Sequence, residues 1–372
     1  MGRHTLSIGR ILGIPIGLDI SWFLIFILLT WTLAVSYFPV EFSNWSTSEY
    51  WIVGAVTSIL LFASVLLHEL GHSVVALRYK IPVKSITLFI FGGLAQIGAE
   101  PPSAAAEFWI AIAGPLVSFG LAALFALMRP LVAAFAPLLA LAEYLAYING
   151  TLALFNLLPG FPLDGGRVFR AIVWGVTHSL RRATLVAANV GRVIAFLFIL
   201  GGVYIIFTGN LWSGLWIAFI GWFLESAASA QLSQQRIQDL LAGHRVADAM
   251  SEVCPRVPSD SSLQDLFEHH IIGGARRCLV IMDQDSPVGL LTIHNVKDVP
   301  RNEWGTTTAG RVMTPMAKLR TARPDTELTE VLMEMDRDGV NQMPVTSDGK
   351  IVGMLSREDV ISYLRTMQDL SR

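Results

Sequence analysis

Charge is what this sequence has least of, and the shortage is uneven. Of the first 230 residues only 20 are Lys, Arg, Asp or Glu, about 9 per 100 against about 25 per 100 in soluble domains; of the last 142, 36 are charged, which matches that average. The first part is therefore expected to lie in a membrane and the second in water. Cysteine is nearly absent: Cys254 and Cys278 are the only two, both in the charge-rich part. No disulfide framework or Cys-rich metal site is implied, and a reducing compartment is compatible. The net charge of -2 over 372 residues gives no support for nucleic-acid binding. The amino-terminal basic patch runs into an apolar stretch, Ile20 to Phe38, that lacks a small-residue cleavage site. That stretch reads as a retained helix rather than a signal peptide.

Six spans can be drawn: Ile20 to Phe38, Ile52 to about Tyr79, Phe108 to Met128, Leu131 to Leu158, Ala183 to Phe207, and Leu211 to about Ala230. Lys and Arg are missing from the loop at 39–50, whereas Arg3 and Arg10 precede the first span and Arg78, Lys80 and Lys84 follow the second. Arg167, Arg170, Arg181 and Arg182 lie between the fourth and fifth. By the positive-inside rule both termini, and with them the charge-rich carboxyl-terminal part, are expected to be cytoplasmic.

Against this apolar background one cluster stands out. No charge occurs from Ile52 to Leu67, and then His68-Glu69-Leu70-Gly71-His72 brings three ionisable side chains into five residues. Side chains four apart on a helix share a face, so His68 and His72 can offer imidazole nitrogens to one metal ion. Glu69 lies about 100° round the helix, within reach of a water on that metal. This is a hydrolytic zinc site in outline. A polar cluster that merely packs helices is the bland alternative, and the cost of ionisable groups in a membrane helix weighs against it.

A third ligand is needed, with a fourth position left to water. After the fourth span, Pro159 and Pro162 cannot continue a helix and Gly160, Gly165 and Gly166 loosen the backbone, displaying Asn156 and Asp164 at a break near membrane depth. Asp164 is the best carboxylate outside the motif; Glu107, Glu143 and Glu225 lie at span ends or on smoothly apolar helices. An N-cap role for Asp164 on a helix starting at Gly165 remains open. The segment VKSITLFIFGGLAQIG before the third span, interrupted by Gly92-Gly93, is too short to cross as a helix. It reads as strands dipping into the membrane, or as a plain hairpin. The tryptophans at 22, 45, 51, 174, 212 and 216 fit interfacial belts, and His178, His244, His269, His270 and His294 lack ligand-like partners.

HELGH in one span, followed by Asn156-Leu-Leu-Pro159-Gly-Phe-Pro162-Leu-Asp164-Gly165-Gly166, closely resembles the site-2 proteases, the zinc intramembrane metalloproteases. The resemblance covers roughly residues 10 to 230, with the GIPIGLDISWF opening, FGGLAQ, and AGPLVSF at 113 to 119. It implies one Zn²⁺ per chain on His68, His72 and Asp164, Glu69 as the acid and base, and Asn156 as an amide donor to the oxyanion. The expected substrates are membrane proteins cleaved in or near a transmembrane segment, such as an anti-sigma factor or similar regulator, in regulated intramembrane proteolysis within the lipid bilayer. Ser118 departs from the family pattern, in which some relatives carry Asn; the expected effect is on local helix packing alone, with the metal site untouched.

The charge-rich part repeats itself. The stretch from Ser259 lines up with that from Pro324 at a spacing of 64 to 65 residues, each reading helix, strand, turn, strand, helix. The unit looks like a CBS domain, which usually occurs in pairs. The resemblance implies an adenine nucleotide at Ser356 and Asp359 of the second copy; in the first, Thr292 is followed by Asn295 in the acidic place. A purely structural module forming a homodimer through the CBS domains is the alternative.

The expected fold is thus a polytopic α-helical membrane protein of the cell membrane, multi-pass, with about six transmembrane helices and a small membrane-dipping β segment, plus a soluble α+β tandem CBS module. Its expected divisions are a transmembrane metalloprotease domain at 1–230, a linker at 231–244, a first CBS repeat at 245–308 and a second at 309–372. Strand addition along Ser85 to Phe91 is expected to hold an unwound substrate extended. Two rival classes compete with the protease. One is a CBS-regulated transporter whose intramembrane His, Glu and Asp hold a moving ion; the other is a non-catalytic scaffold on the protease fold. Only the protease gives Glu69 something to do.

Overall fold

Six helices among the described residues are long and apolar enough to cross a membrane: Ile20–Glu41, Thr47–Arg78, Ala104–Val132, Ala136–Asn156, Leu180–Phe207 and Leu211–Leu241. The computed structural model describes residues 5–90, 92–251, 255–272, 278–284, 286–347 and 350–370. Its contacts divide it into two units, Met1–Gln235 and Arg236–Arg372.

In the first unit the chain opens not with the helix but with a hairpin, β1 (Thr5–Ile11) and β2 (Ile14–Asp19). Asp19 caps the helix that follows, accepting from the Ser21 amide at 2.9 Å and the Ser21 hydroxyl at 2.6 Å. That span is α1 (Ile20–Thr32), one wide π-type turn over Leu33–Tyr37, and α2 (Phe38–Glu41). The next helix, α3 (Thr47–Arg78), starts in a capping box of Ser46 and Glu49 and runs 32 residues. At about 1.5 Å per residue it reaches about 48 Å, well beyond a hydrocarbon core of about 30 Å. His68 to His72 lie about two thirds of the way along this helix.

After α3 the chain forms β3 (Val83–Phe89) and β4 (Gly92–Ile97), which join the amino-terminal hairpin in one sheet of order β1-β2-β3-β4. The dipping segment is thus half of a four-stranded sheet. β2 pairs parallel to β3, with Ile16 opposite Ile86, and β4 returns antiparallel, with Ala95 opposite Ile86 and Gly93 opposite Leu88. Ile14, Ile16 and Ile86 pack with Leu70, so the sheet rests on α3 at the level of HELGH. The pairing overturns the expectation of strand addition along Ser85 to Phe91: β3 has a neighbour on both sides and no free edge, and Phe91 lies outside the described residues.

Three further helices complete the neighbourhood of the motif. α4 (Ala104–Val132) packs on α3 and on α5 (Ala136–Asn156), and α6 (Asp164–Thr177) packs on α4. Pro159 and Pro162 fall in the break between α5 and α6, as their chemistry dictates. α7 (Leu180–Phe207), capped by Ser179, and α8 (Leu211–Leu241) follow.

The second unit holds two interlocked repeats. α9 (Val246–Ala249), β5 (Arg256–Pro258), α10 (Leu263–Leu266), β6 (Cys278–Asp283), β7 (Ser286–Thr292), α11 (Ile293–Lys297), α12 (Ala309–Val312) and β8 (Thr314–Pro315) precede α13 (Leu328–Asp338), β9 (Gln342–Ser347), β10 (Lys350–Ser356) and α14 (Arg357–Leu370). The packing does not follow the division expected at 308/309. Leu241 and Val246 are buried with Leu328, Val331, Met343 and Leu355 of the later repeat, whereas Ala309 is buried with Val257, Leu263, Leu279 and Ile281 of the earlier one. Residues 231–241, expected as linker, are the end of α8. Cys278 is disulfide-bonded, where two cysteines had implied no disulfide framework; Cys254 lies outside the described residues.

Candidate metal centre

The two histidines of α3 stand one turn apart with ring centroids 4.9 Å from each other. Their Nε2 atoms converge, 3.2 Å apart, on one carboxylate oxygen: Asp164 Oδ2 lies 3.0 Å from His68 Nε2 and 3.2 Å from His72 Nε2. Asp164 is the first residue of α6, and Leu163 takes the N-cap position, so the capping reading of Asp164 falls. Both imidazoles are buried. Among the described residues these three are the group of His, Cys, Asp and Glu side chains placed to hold a metal ion.

The other nitrogen of each ring is also engaged. His72 Nδ1–H donates to the Ile110 carbonyl at 2.7 Å, which fixes the tautomer with its lone pair on Nε2. His68 Nδ1 is 2.9 Å from the fully buried Ser118 hydroxyl. Ser118 therefore bears directly on a ligand-type imidazole, and the expectation that its departure from the family pattern touches helix packing alone is corrected. A lone hydroxyl on an apolar helix carries no charge contrast that would have flagged it; the signal was its place on α4, where Glu107, Ile110, Gly114 and Ser118 recur at helical spacing on one face.

Glu69 stays outside the cluster. Its Oε2 accepts from the Ala95 amide of β4 at 3.2 Å, so the carboxylate is held by the sheet beside the imidazoles. Two glycines make the room. A Cβ on Gly114 would stand 2.1 Å from His72 Nε2 and 2.6 Å from His68 Nε2, in the space the donors share. A Cβ on Gly93 would stand 2.4 Å from Glu69 Cγ. This explains the second glycine of FGGLAQ, because without a side chain there the strand can lie directly against a glutamate.

The three rival carboxylates are all otherwise occupied. Glu107 pairs with Arg170, Glu143 with Arg129 at 2.6 Å, and Glu225 with Arg192 at 3.5 Å. Asn156 is the last residue of α5, half-buried, and among the described residues its amide makes no hydrogen bond to the cluster. In the second unit, Asp359 Oδ2 accepts from the Ser356 amide at 2.8 Å and hydroxyl at 2.6 Å, opening α14. Asn295 does the same for Thr292, at 3.0 and 2.7 Å, so the first repeat keeps the local geometry with a neutral side chain. A cavity of about 430 Å³ lined by Arg256, Val257, Pro258, Met282 and Gln284 touches neither pair.

The donor set suits zinc. Ligand atoms on a tetrahedral ion at bond lengths of about 2.0–2.1 Å lie about 3.3 Å from one another. Separations of 3.0 to 3.2 Å among two imidazole nitrogens and a carboxylate oxygen come close to that edge. The fold and the site together define a membrane-embedded metallopeptidase, and comparison with known proteins agrees. The family model described as peptidase family M50 matches residues 56–133 and 129–200, and the CBS domain model matches 309–366. Rip3 of Mycobacterium tuberculosis, assigned by its name to the zinc metalloproteases, is 36% identical over 363 residues, covering 96% of this chain and 92% of that protein. The similarly named sll0528 of Synechocystis is 35% identical over 371 residues, covering 98% and 96%. The solved site-2 protease from Methanocaldococcus jannaschii shares 31% identity, covering 61% of this chain and 95% of that one, with a TM-score of 0.43.

The chain belongs to peptidase family M50, the site-2 proteases, and carries a CBS domain. It is a zinc metalloendopeptidase of the intramembrane type, so the transporter and scaffold readings fall.

Proposed function

We propose that His68, His72 and Asp164 hold one zinc ion per chain, and that Glu69 is the general base and acid of peptide hydrolysis in or beside a membrane span. The convergence of both Nε2 atoms on Asp164 Oδ2, from segments 96 residues apart, carries the reading. Zinc, when bound, supplies Lewis acidity that makes water nucleophilic at neutral pH and polarises the scissile carbonyl. Glu69 takes the proton from the attacking water and returns it to the leaving amine nitrogen. The Ala95 amide keeps its carboxylate aimed through Oε2 and, among the described residues, leaves Oε1 without a hydrogen bond. Asn156 donates its amide N–H to the oxygen that gains charge as the carbonyl becomes tetrahedral.

A helical substrate hides its peptide bonds and must be unwound before attack. An extended substrate is taken along β4, the outer strand of the sheet that borders Glu69, whose Ala95 N–H is itself held by Glu69. The substrates are single-span membrane proteins, including anti-sigma-type regulators. Both termini and the CBS module are cytoplasmic, which the basic residues at 78, 80 and 84 support. An adenine nucleotide at Ser356 and Asp359 adjusts the cleavage rate, and the module forms a homodimer. The deciding experiment is cleavage of a single-span substrate by wild type and Glu69→Gln, with metal content measured on both. The reading requires full zinc with no cleavage in the variant; cleavage at the wild-type rate would end it. If removal of residues 245–372 leaves the response to ATP and AMP unchanged, the sensor part is wrong.

A further inference from the structure

Glu107 and Arg170 form an ion pair in the apolar half of the molecule that no step of the hydrolysis uses. Glu107, on the first turn of α4, is fully buried, and Arg170, on α6, is 8% exposed. Glu107 Oε1 accepts from Arg170 Nε at 2.6 Å and from Nη2 as well. Arg170 Nη1 donates to Thr184 Oγ1 of α7 at 3.5 Å, and its guanidinium lies 5.3 Å from the centre of the Phe161 ring, in the break between α5 and α6. One side chain thereby ties together α4, α6, α7 and the segment that follows Asn156. Arg167, one turn after Asp164, brings its Nε to 3.9 Å from the same Glu107 oxygen.

Stability does not explain the pair. Exchanging a buried ion pair for apolar side chains of similar volume is commonly neutral or stabilising. This pair is also incompletely satisfied, since Glu107 Oε2 is buried without a hydrogen-bond partner among the described residues. What an arginine fork adds over an apolar contact is direction: two N–H groups on one carboxylate fix both the height and the rotation of one helix against another. Of the helices fixed here, α6 carries Asp164 and α4 carries the groups that meet the two imidazoles of α3. On α4 the face that bears Glu107 also bears Ile110, which accepts from His72, Gly114, which leaves space beside both Nε2 atoms, and Ser118, which meets His68. On α6, Asp164 lies six residues, about 9 Å of helix, from Arg170.

We propose that the Glu107–Arg170 pair is a positioning element of the metal centre. It locks α6 to α4 so that Asp164 meets His68 and His72 at a fixed height; this rests on the reading of those three as zinc ligands. The test uses the full chain in detergent, stripped of metal and titrated with zinc against a chromophoric chelator, with metal-free melting recorded in parallel. The key variant is the double substitution Glu107→Leu with Arg170→Met. It is expected to melt at or above the wild-type temperature without metal, yet to bind zinc about 10- to 100-fold more weakly, the usual loss when a group that orients a ligand is removed. Arg170→Lys, which keeps the charge and loses the fork, is expected to fall between the two. Wild-type zinc affinity in the double variant overturns the proposal. So does its failure to fold, which would make the pair a stability element. Asp164→Ala separates the two levels. If it binds zinc as wild type does, the ligand reading itself is wrong; if it loses zinc while the double variant keeps it, only the positioning role fails.

Discussion

A histidine binds metal through one nitrogen and is steered through the other, so the partners of the two Nδ1 atoms matter as much as the motif itself. Replacing Ser118 by Ala leaves His68 Nδ1 without its 2.9 Å partner. Zinc affinity is expected to fall about 10- to 100-fold by competition with a chelator, with little change in helical content. Gly114→Ala is expected to be harsher: its Cβ would occupy the space between the Nε2 atoms, and the purified chain should carry markedly less zinc by mass spectrometry. At this scale the charged residues were legible and the neutral ones were not. His68, Glu69, His72 and Asp164 stood out because ionisable groups are costly in an apolar span. Gly114 and Ser118 lie in the AGPLVSF stretch that carries the resemblance, but nothing in the sequence tells what they or the Ile110 carbonyl touch; only the packing of α4 on α3 does.

Helices here were readable from apolar runs, whereas the sheet was half hidden. No residue of β1 is buried and all but Thr5 are exposed, so the strand lacks the in-and-out alternation that marks one. β2 finds its partner β3 about 70 residues on, a parallel pairing that no local pattern reports. The consequence is a sheet whose edge, not its centre, borders Glu69. Ala95→Pro removes the N–H that Glu69 accepts while sparing the bonds β4 makes to β3, since an outward-facing edge position tolerates proline. The expected outcome is a cleavage rate reduced at least tenfold, read on a single-span substrate, with a melting temperature close to wild type. An unchanged rate would mean that the sheet does not position Glu69.

For the whole molecule, the repeat in the sequence located the two copies but could not reveal how they exchange their ends. Leu241 lies 1% exposed in the core of the later repeat, four residues ahead of the boundary drawn from the repeat. A fragment of residues 236–372 is therefore expected to resist urea better than one of 245–372, by about 1.5–3 kcal/mol for the burial of one leucine. Topology is checked by placing single cysteines at Ser43 and Lys80: an impermeant maleimide applied outside intact cells should label the first and not the second. The exchanged ends also set a timetable for synthesis. Val246 cannot find its neighbours until Val331, Met343 and Leu355 have been made, and these come within the last 42 residues. The CBS module must wait, unfinished, until those residues have been made, by which time the six membrane-length helices among the described residues have long been complete. A nascent chain of this protein can thus hold its full run of membrane-length helices before its CBS module has a core.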